Sequence, residues 1–269
     1  MPETSKTVTN ALRLLACFTR DEPALAVAEL ARRMELPRTN VLRLLATLEG
    51  FRLVERAQGG GFRLGFHAFE LGSVYLESHP APAIAATALD ELVAATQCTA
   101  YLGLLDGGDA VILLCREGSL PIRFVWPVGS RLPGSTTALG KAILMHMPKE
   151  TWDRHLGTGK ALPTLTPGSL RNRKALERDL EGARRDGWAV AREESHAGLT
   201  AVGAAILDAS GRPIAGISLS YFDHPSDGDR LRRLGALVRD AAARLTAQLH
   251  GYGTYGARLF PELAAAPGR

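Results

Sequence analysis

Arg38, Thr39, Asn40 and Arg43 crowd the first turn and one flank of the stretch PRTNVLRLLATLEG, residues 37–50. These side-chain types read nucleic acid. Arginine makes paired hydrogen bonds to guanine or holds a phosphate, asparagine pairs with adenine, and threonine reaches a phosphate or a thymine methyl. Taken alone, the four would serve equally as the solvated edge of an amphipathic helix, with Thr39 as an alternative N-cap. Arg52, Arg56 and Arg63 lie in or beside the segment that follows, where they would meet a DNA backbone or minor groove. Residues 1–66 hold 10 Lys plus Arg against 7 Asp plus Glu, a net of +3 out of the chain's +4. The positive excess therefore sits with the candidate DNA-reading residues, Arg38, Thr39, Asn40, Arg43, Arg56 and Arg63.

A second constellation suits a small anion. In LPGSTTALGKA, residues 132–142, Gly134, Ser135 and Thr136 stand just before a helix. Backbone amides around Ala138 and Leu139 would then face whatever precedes them, and a helix start is a natural seat for a carboxylate. Ser218 and Ser220 are two apart on a strand and share a face. The alternative for these serines is a local bond to backbone on a half-exposed strand.

Catalytic signatures are missing from the sequence. Gly134 to Gly140 has five intervening residues where a phosphate-binding loop has four, and Ala142 replaces its Ser or Thr; Gly159-Lys160-Ala161 fails at the same place. There is no H-E-x-x-H, no G-x-S-x-G and no metal-spaced His/Cys cluster. Glu193 and Glu194 read as a solvated strand end or loop, and the seven histidines are dispersed. No catalytic residue, metal site or cofactor is expected. Three scattered cysteines, Cys17, Cys98 and Cys115, read as small buried hydrophobes of a reducing compartment. No apolar run reaches the roughly 20 residues of a membrane span, and MPETSKTVTN has no secretory pattern, so the expected compartment is the cytoplasm.

The elements that must position these residues fall into two groups. Three short helical blocks come first. Ser5 to Arg20 places Val8, Leu12, Leu15 and Ala16 on one face, the second block places Val27, Leu30, Ala31 and Met34, and the third places Val41, Leu44, Leu45 and Leu48. Gly50 is the expected stop of the third. A hairpin turning at Gly59-Gly60-Gly61 follows, giving the order of a winged helix-turn-helix. Residues 67–79 resume a helical pattern as a linker. Beyond Ala83 strands mix with helices: a helix to Thr96, a hairpin turning at Asp106 to Asp109, and a strand near Ile122 to Val128. After them come a helix beyond Pro133-Gly134, further helices to Arg185 and a strand from Trp188 to Glu193. A second hairpin turns at Asp208 to Pro213, and a helix runs from Ser226 to His250. With 269 residues, 46% of them hydrophobic, the chain is long enough for two such domains.

Three ordered segments resemble the IclR family of bacterial transcriptional regulators, over about residues 5–252. LPRTNVLRLLATLEGFRLVER resembles its recognition helix and wing, and GSRLPGSTTALGKAILMHM the mouth of its effector pocket. GWAVAREESHAGLTAVGAAILDASG resembles its C-terminal signature, in which Gly187, Glu194, Ala201, Val202, Gly203, Ile206 and Asp208 fit. Ala191 departs where the family prefers Asp or Ser, and Leu207 where an aromatic, His or Pro is usual. The resemblance implies an α+β chain: an N-terminal winged helix-turn-helix at 1–66, a linker helix at 67–80, a C-terminal GAF/PAS-like α+β effector-binding domain at 81–255 and a tail at 256–269. It implies a ligand-responsive regulator, a repressor by family habit, acting on a catabolic operon through a double-stranded DNA operator as a homodimer or homotetramer. Positions equivalent to Ser218 and Ser220 bind small organic acids in the family, and the matching apolar wall is Phe124, Leu132 and Leu199. Ala191 and Ala201 stand where some relatives place an Asp and a Cys against the ligand. Their loss of polarity suggests a carboxylate with an apolar body, aromatic forms included. The competing reading is a small-molecule-binding protein or enzyme whose N-terminal helices are a protein-interaction module.

Overall fold

The computed structural model describes residues 5–77, 80–159, 161–222 and 228–250. The chain divides into two compact units, 1–79 and 80–269, each described by itself below.

The first unit runs α1 (Lys6–Leu15), β1 (Ala24–Leu25), α2 (Val27–Met34), α3 (Arg38–Gly50), β2 (Val54–Arg56), β3 (Phe62–Leu64) and α4 (Phe66–Glu77). Val41, Leu45 and Leu48 of α3 form a buried stripe on Leu30 and Met34 of α2, Leu14 of α1, and Val54 and Phe62 of the hairpin. The three-helix-plus-hairpin order is present. It carries one strand that periodicity did not announce: β1 pairs with β3, so the small sheet has the order β1-β3-β2. Gly61 (φ 84°) makes the approach possible, because a side chain there would begin 2.6 Å from the Leu25 carbonyl oxygen. Two expectations are corrected. Val8 and Leu12 are 56% and 62% exposed, not core; α1 reaches the interior through Leu14, with Ala11 and Leu15 half-buried beside it, and Phe18 follows from the turn beyond the helix. Gly50 is the last helical residue, and the left-handed turn that ends α3 falls on Arg52 (φ 55°).

The second unit contains α5 (Pro80–Thr96), β4 (Thr99–Asp106), β5 (Asp109–Arg116), β6 (Arg131–Pro133), α6 (Ala138–Leu144), α7 (Trp152–Leu156), α8 (Arg173–Asp186), β7 (Ala189–Arg192), β8 (Leu199–Leu207), β9 (Pro213–Phe222) and α9 (Gly228–His250). One antiparallel sheet of order β6-β5-β4-β9-β8-β7 forms its middle layer. Helices α5 and α9 cover one face around Leu89, Leu102, Ile217 and Val238. Helices α6 and α8 cover the other around Tyr101, Leu139, Ile143 and Leu180. The expected strand at 122–128 is absent. Ile122, Phe124, Trp126 and Val128 alternate as a strand would, yet the backbone is irregular from Glu117 to Ser130 and rejoins the sheet edge through Gly129 and Ser130 bonding to Ile112. The sequence 256–269 and Ser226 lie outside the described residues.

Helix α6 is buried along its whole length, which requires a floor without side chains. Gly203 of β8 supplies it: a Cβ there would stand 2.7 Å from the Ala138 carbonyl oxygen. Gly140 of α6 faces Gly134 in the same way, at 2.3 Å from its oxygen. Gly203 therefore sets how closely the start of α6 approaches the sheet, and Gly134 with Gly140 how closely the preceding turn packs on the helix, which together position the candidate anion site.

Candidate DNA interface and effector cavity

On α3 the aliphatic stripe faces inward, so Arg38, Thr39, Asn40 and Arg43 are all exposed. Pro37 precedes them as the N-cap residue in an extended conformation (ψ 142°), making Arg38 the first helical residue. Among the described residues no carboxylate pairs with Arg38 or Arg43. The wing arginines differ. Arg63 lies 2.6 Å from Glu55, Arg56 lies 3.4 Å from Glu49 and also covers the Phe62 ring, and Arg52 is 4.0 Å from Glu70. The cations at the helix start are thus available to an external anion without breaking an internal pair. Asn40, Arg43 and Thr47 also wall an open groove of about 430 Å³, with Thr7 and Asn10 of α1 opposite.

In the second unit the start of α6, the ends of β8 and β9 and the middle of β4 and β5 enclose a cavity of about 30 Å³. Leu132, Ala138, Leu139, Leu199, Ala201, Ser218 and Ser220 line it, so most of the expected residues come together. The antiparallel register explains the serines: Ser220 lies opposite Ala201, and Ser218 opposite Gly203, on the face that meets α6. The Ser220 hydroxyl is buried beside the Tyr101 phenol and makes no hydrogen bond of ordinary geometry. Thr137 caps α6 by accepting from Gly140 N at 3.0 Å, serving neither Ala138 nor Leu139. The walls hold five hydroxyl side chains, Tyr101, Thr137, Ser195, Ser218 and Ser220, and no cation. Burial holds the Tyr101 phenol well above its usual range, at about 12, so it stays a donor at any physiological pH.

The two halves match known descriptions separately: residues 7–58 match the "IclR helix-turn-helix domain" and residues 73–247 the "Bacterial transcriptional regulator IclR C-terminal". The chain belongs to the IclR family of bacterial transcriptional regulators. It is 30% identical over 226 residues to the HTH-type transcriptional repressor AllR of Klebsiella pneumoniae, covering 83% of this chain and 82% of that one. Among solved structures, the Thermotoga maritima IclR superposes with a TM-score of 0.70 at 27% identity, over 91% of this chain and 98% of the other. An IclR homologue of Microbacterium hydrocarbonoxydans, complexed with 4-hydroxybenzoate, shares the fold at a TM-score of 0.78 and 23% identity, over 91% and 100% of the two chains. Like other IclR proteins, this one is a DNA-binding transcriptional regulator, and no described helix is long and apolar enough to cross a membrane.

Within this IclR fold several site expectations need correction. Phe124 and Ala191 are not among the residues lining the cavity. Ala191 is buried on β7 opposite Ala201, one strand too far out. Phe124 sits in the irregular segment with its ring against Trp126 and His196, each 4.6 Å between centroids. Trp126 takes the wall position instead, with Ile112 and Ala110 of β5. Glu194 is not solvated. It is 6% exposed and pairs at 2.6 Å with Lys141, which is itself fully buried on α6 and also donates to the Val190 carbonyl at 3.0 Å. Asp179 of α8 lies 3.0 Å from the same ammonium. Burial pushes the Glu194 carboxyl up while Lys141 opposes the rise. This cluster pins the segment carrying Ser195 to the helix whose start lines the cavity. A lysine inside the apolar run ALGKAIL was the one sequence signal that would have found it.

Proposed function

We propose that the protein is a repressor of a catabolic operon, released from or retained on its operator by a small carboxylic acid with an apolar body. Arg38 and Arg43 carry the DNA part of this reading. They are two exposed guanidinium groups at the start of a helix packed by its opposite face, with no carboxylate partner among the described residues, and they read base edges and phosphates together with Thr39 and Asn40. Arg56 and Arg63 add backbone contacts from the wing. The cavity supports the effector part: neutral hydroxyls, the buried Ser220 among them, and the Ala138 and Leu139 amides meet a carboxylate, while Leu132, Leu199 and Ala201 meet its body.

The regulator works as a homodimer or homotetramer in the cytoplasm. Exposed Val8 and Leu12 on α1, and Phe66, Phe69 and Val74 on α4, supply apolar surface for a second copy, and two reading heads give a specificity that one lacks. Ligand binding shifts the relative placement of the heads and so their match to operator half-sites.

A gel-shift assay on the protein's own promoter region tests the reading. Retention should fall steeply with salt and disappear in the Arg38→Ala plus Arg43→Ala variant; undiminished binding by that variant would remove the assignment. A thermal-shift panel of acids tests the effector class, and stabilisation by short hydroxy acids but by no aromatic or longer acid would refute it.

A further inference from the structure

The cavity is too small for the ligand it is lined to receive. Its roughly 30 Å³ holds about two waters, whereas sites for organic ligands enclose roughly 300–1,000 Å³. Something in the wall has to move. The walls differ in how they are held. The strands β4, β8 and β9 are paired on both sides, and α6 lies on a glycine floor with a buried ion pair behind it. The segment Glu117–Ser130 has no sheet ladder along its middle: its backbone bonds fall near its ends, from Gly118, Ser119 and Leu120 to Thr99 and Gln97 and between Gly129, Ser130 and Ile112. It crosses the cavity as an irregular strap, and Trp126 is its contribution to the wall.

One side chain of the rigid sheet holds the middle of the strap. The Tyr101 phenol accepts a hydrogen bond from the Trp126 amide at 3.1 Å and donates one to the Phe124 carbonyl at 3.2 Å. Phe124 in turn rests its ring on His196, next to Ser195. The buried Ser220 hydroxyl lies in the cavity wall beside this phenol. A carboxylate reaching Ser220 arrives beside the phenol that holds the strap.

We propose that Trp126 is the size-selecting residue of the effector site and that Tyr101 is its latch: an acid larger than the present cavity enters by displacing the Trp126 indole and releasing the strap from the phenol. This rests on the organic-acid reading above only for the selectivity. In the closed state Trp126 limits the site to the shortest acids, and withdrawal of the strap adds the volume an aromatic ring needs.

Two measurements on the full-length protein decide it. In amide exchange followed by mass spectrometry, Tyr101→Phe removes both latch bonds and should speed exchange across 122–128 by about tenfold or more, each net bond being worth about a factor of five to ten. Peptides from β4 and β5 should be unchanged. Equal exchange in the two proteins overturns the latch. In thermal-shift titrations with benzoate and lactate, Trp126→Ala should improve benzoate binding relative to lactate by at least about tenfold, one wall side chain's worth of discrimination. Equal effects on the two acids overturn the size gate. If neither acid binds wild type or variant, the organic-acid reading falls and takes the size gate with it, while the latch still stands or falls on the exchange result.

Discussion

Replacing Lys141 by methionine isolates the energetic role of the buried pair. Methionine keeps most of the volume in the middle of α6 but leaves the Glu194 carboxylate, 6% exposed, with no cation; its Oε2 already lacks a partner. Asp179 is 36% exposed in its side chain and regains water, so the loss concentrates on Glu194. Removing one member of a buried pair costs about 3–5 kcal/mol. For a domain of this size, at roughly 2–4 °C per kcal/mol, the second unit's melting transition should fall by about 6–20 °C.

The double variant Lys141→Met with Glu194→Met removes both charges and should recover most of this, leaving a deficit within about 1–2 kcal/mol. The pH dependence supplies an independent check. Burial already raises the Glu194 carboxyl, and without Lys141 the main opposition to the rise is gone, leaving only a backbone hydrogen bond from Arg192. A group whose folded pKa lies above its unfolded value favours folding below the unfolded pKa and loses that contribution as pH rises through the folded one. The single variant should therefore close part of its gap to wild type as the pH is lowered, and the double variant should not. Circular dichroism melts across that range read both effects. A single-variant transition within about 3 °C of wild type, or a double variant merely additive, would refute the claim that the pair fixes the Ser195 segment.

Four further outcomes follow from the same geometry. Arg38→Ala and Arg43→Ala should each weaken operator binding by about 1–3 kcal/mol at fixed salt, measured by fluorescence anisotropy, where a guanine contact is lost. Arg56→Ala and Arg63→Ala should cost less, because Glu49 and Glu55 already engage those side chains; the opposite order would move the reading surface to the wing. Gly203→Ala puts a methyl 2.7 Å from the Ala138 oxygen and should destabilise the second unit by about 1–3 kcal/mol. Gly182→Ala, inside α8 with nothing nearer than 3.9 Å, should instead gain about 0.5–1 kcal/mol in chemical denaturation. In the first unit, hydrogen bonds from Arg32 and Arg33 hold the Glu29 carboxyl down to about 2 from 4.5. Its contribution is thus complete above 4.5 and is lost as pH falls towards about 2, a limb that Glu29→Gln should remove from the unfolding curve.

What the sequence made legible was whatever depends on short spacing. The Val41, Leu45 and Leu48 stripe, the three hairpin turns and the shared face of Ser218 and Ser220 are all consequences of short spacing within one element or one turn, and the structure has them. What it hid depends on what lies opposite. Val8 and Leu12 repeat like core residues, but periodicity reports only that a face is apolar, not whether this chain's own interior covers it. Ile122 to Val128 alternates like a strand, yet a strand needs a partner edge, and Tyr101 binds this backbone with a side chain instead. Lys141 and Glu194 are 53 residues apart, so neither could be read as buried until the other was placed.

The two kinds of information meet at α6. Gly203 of β8, legible in the segment AVGAAILDASG, admits the helix to the face of the sheet, and the helix's lysine, illegible alone, is tolerated there because Glu194 and Asp179 arrive from just beyond β7 and from α8. The wall formed by α6 and the sheet is consequently the stiff half of the cavity: moving it would separate a buried charge from its partners, at about 3–5 kcal/mol. The middle of the strap, around Phe124 and Trp126, is held to the sheet by two neutral hydrogen bonds worth about 1 kcal/mol each, separate from the backbone bonds at its ends. A ligand with only its own binding energy to spend displaces the cheaper wall, so a structural response to the effector should begin at Trp126 rather than at α6.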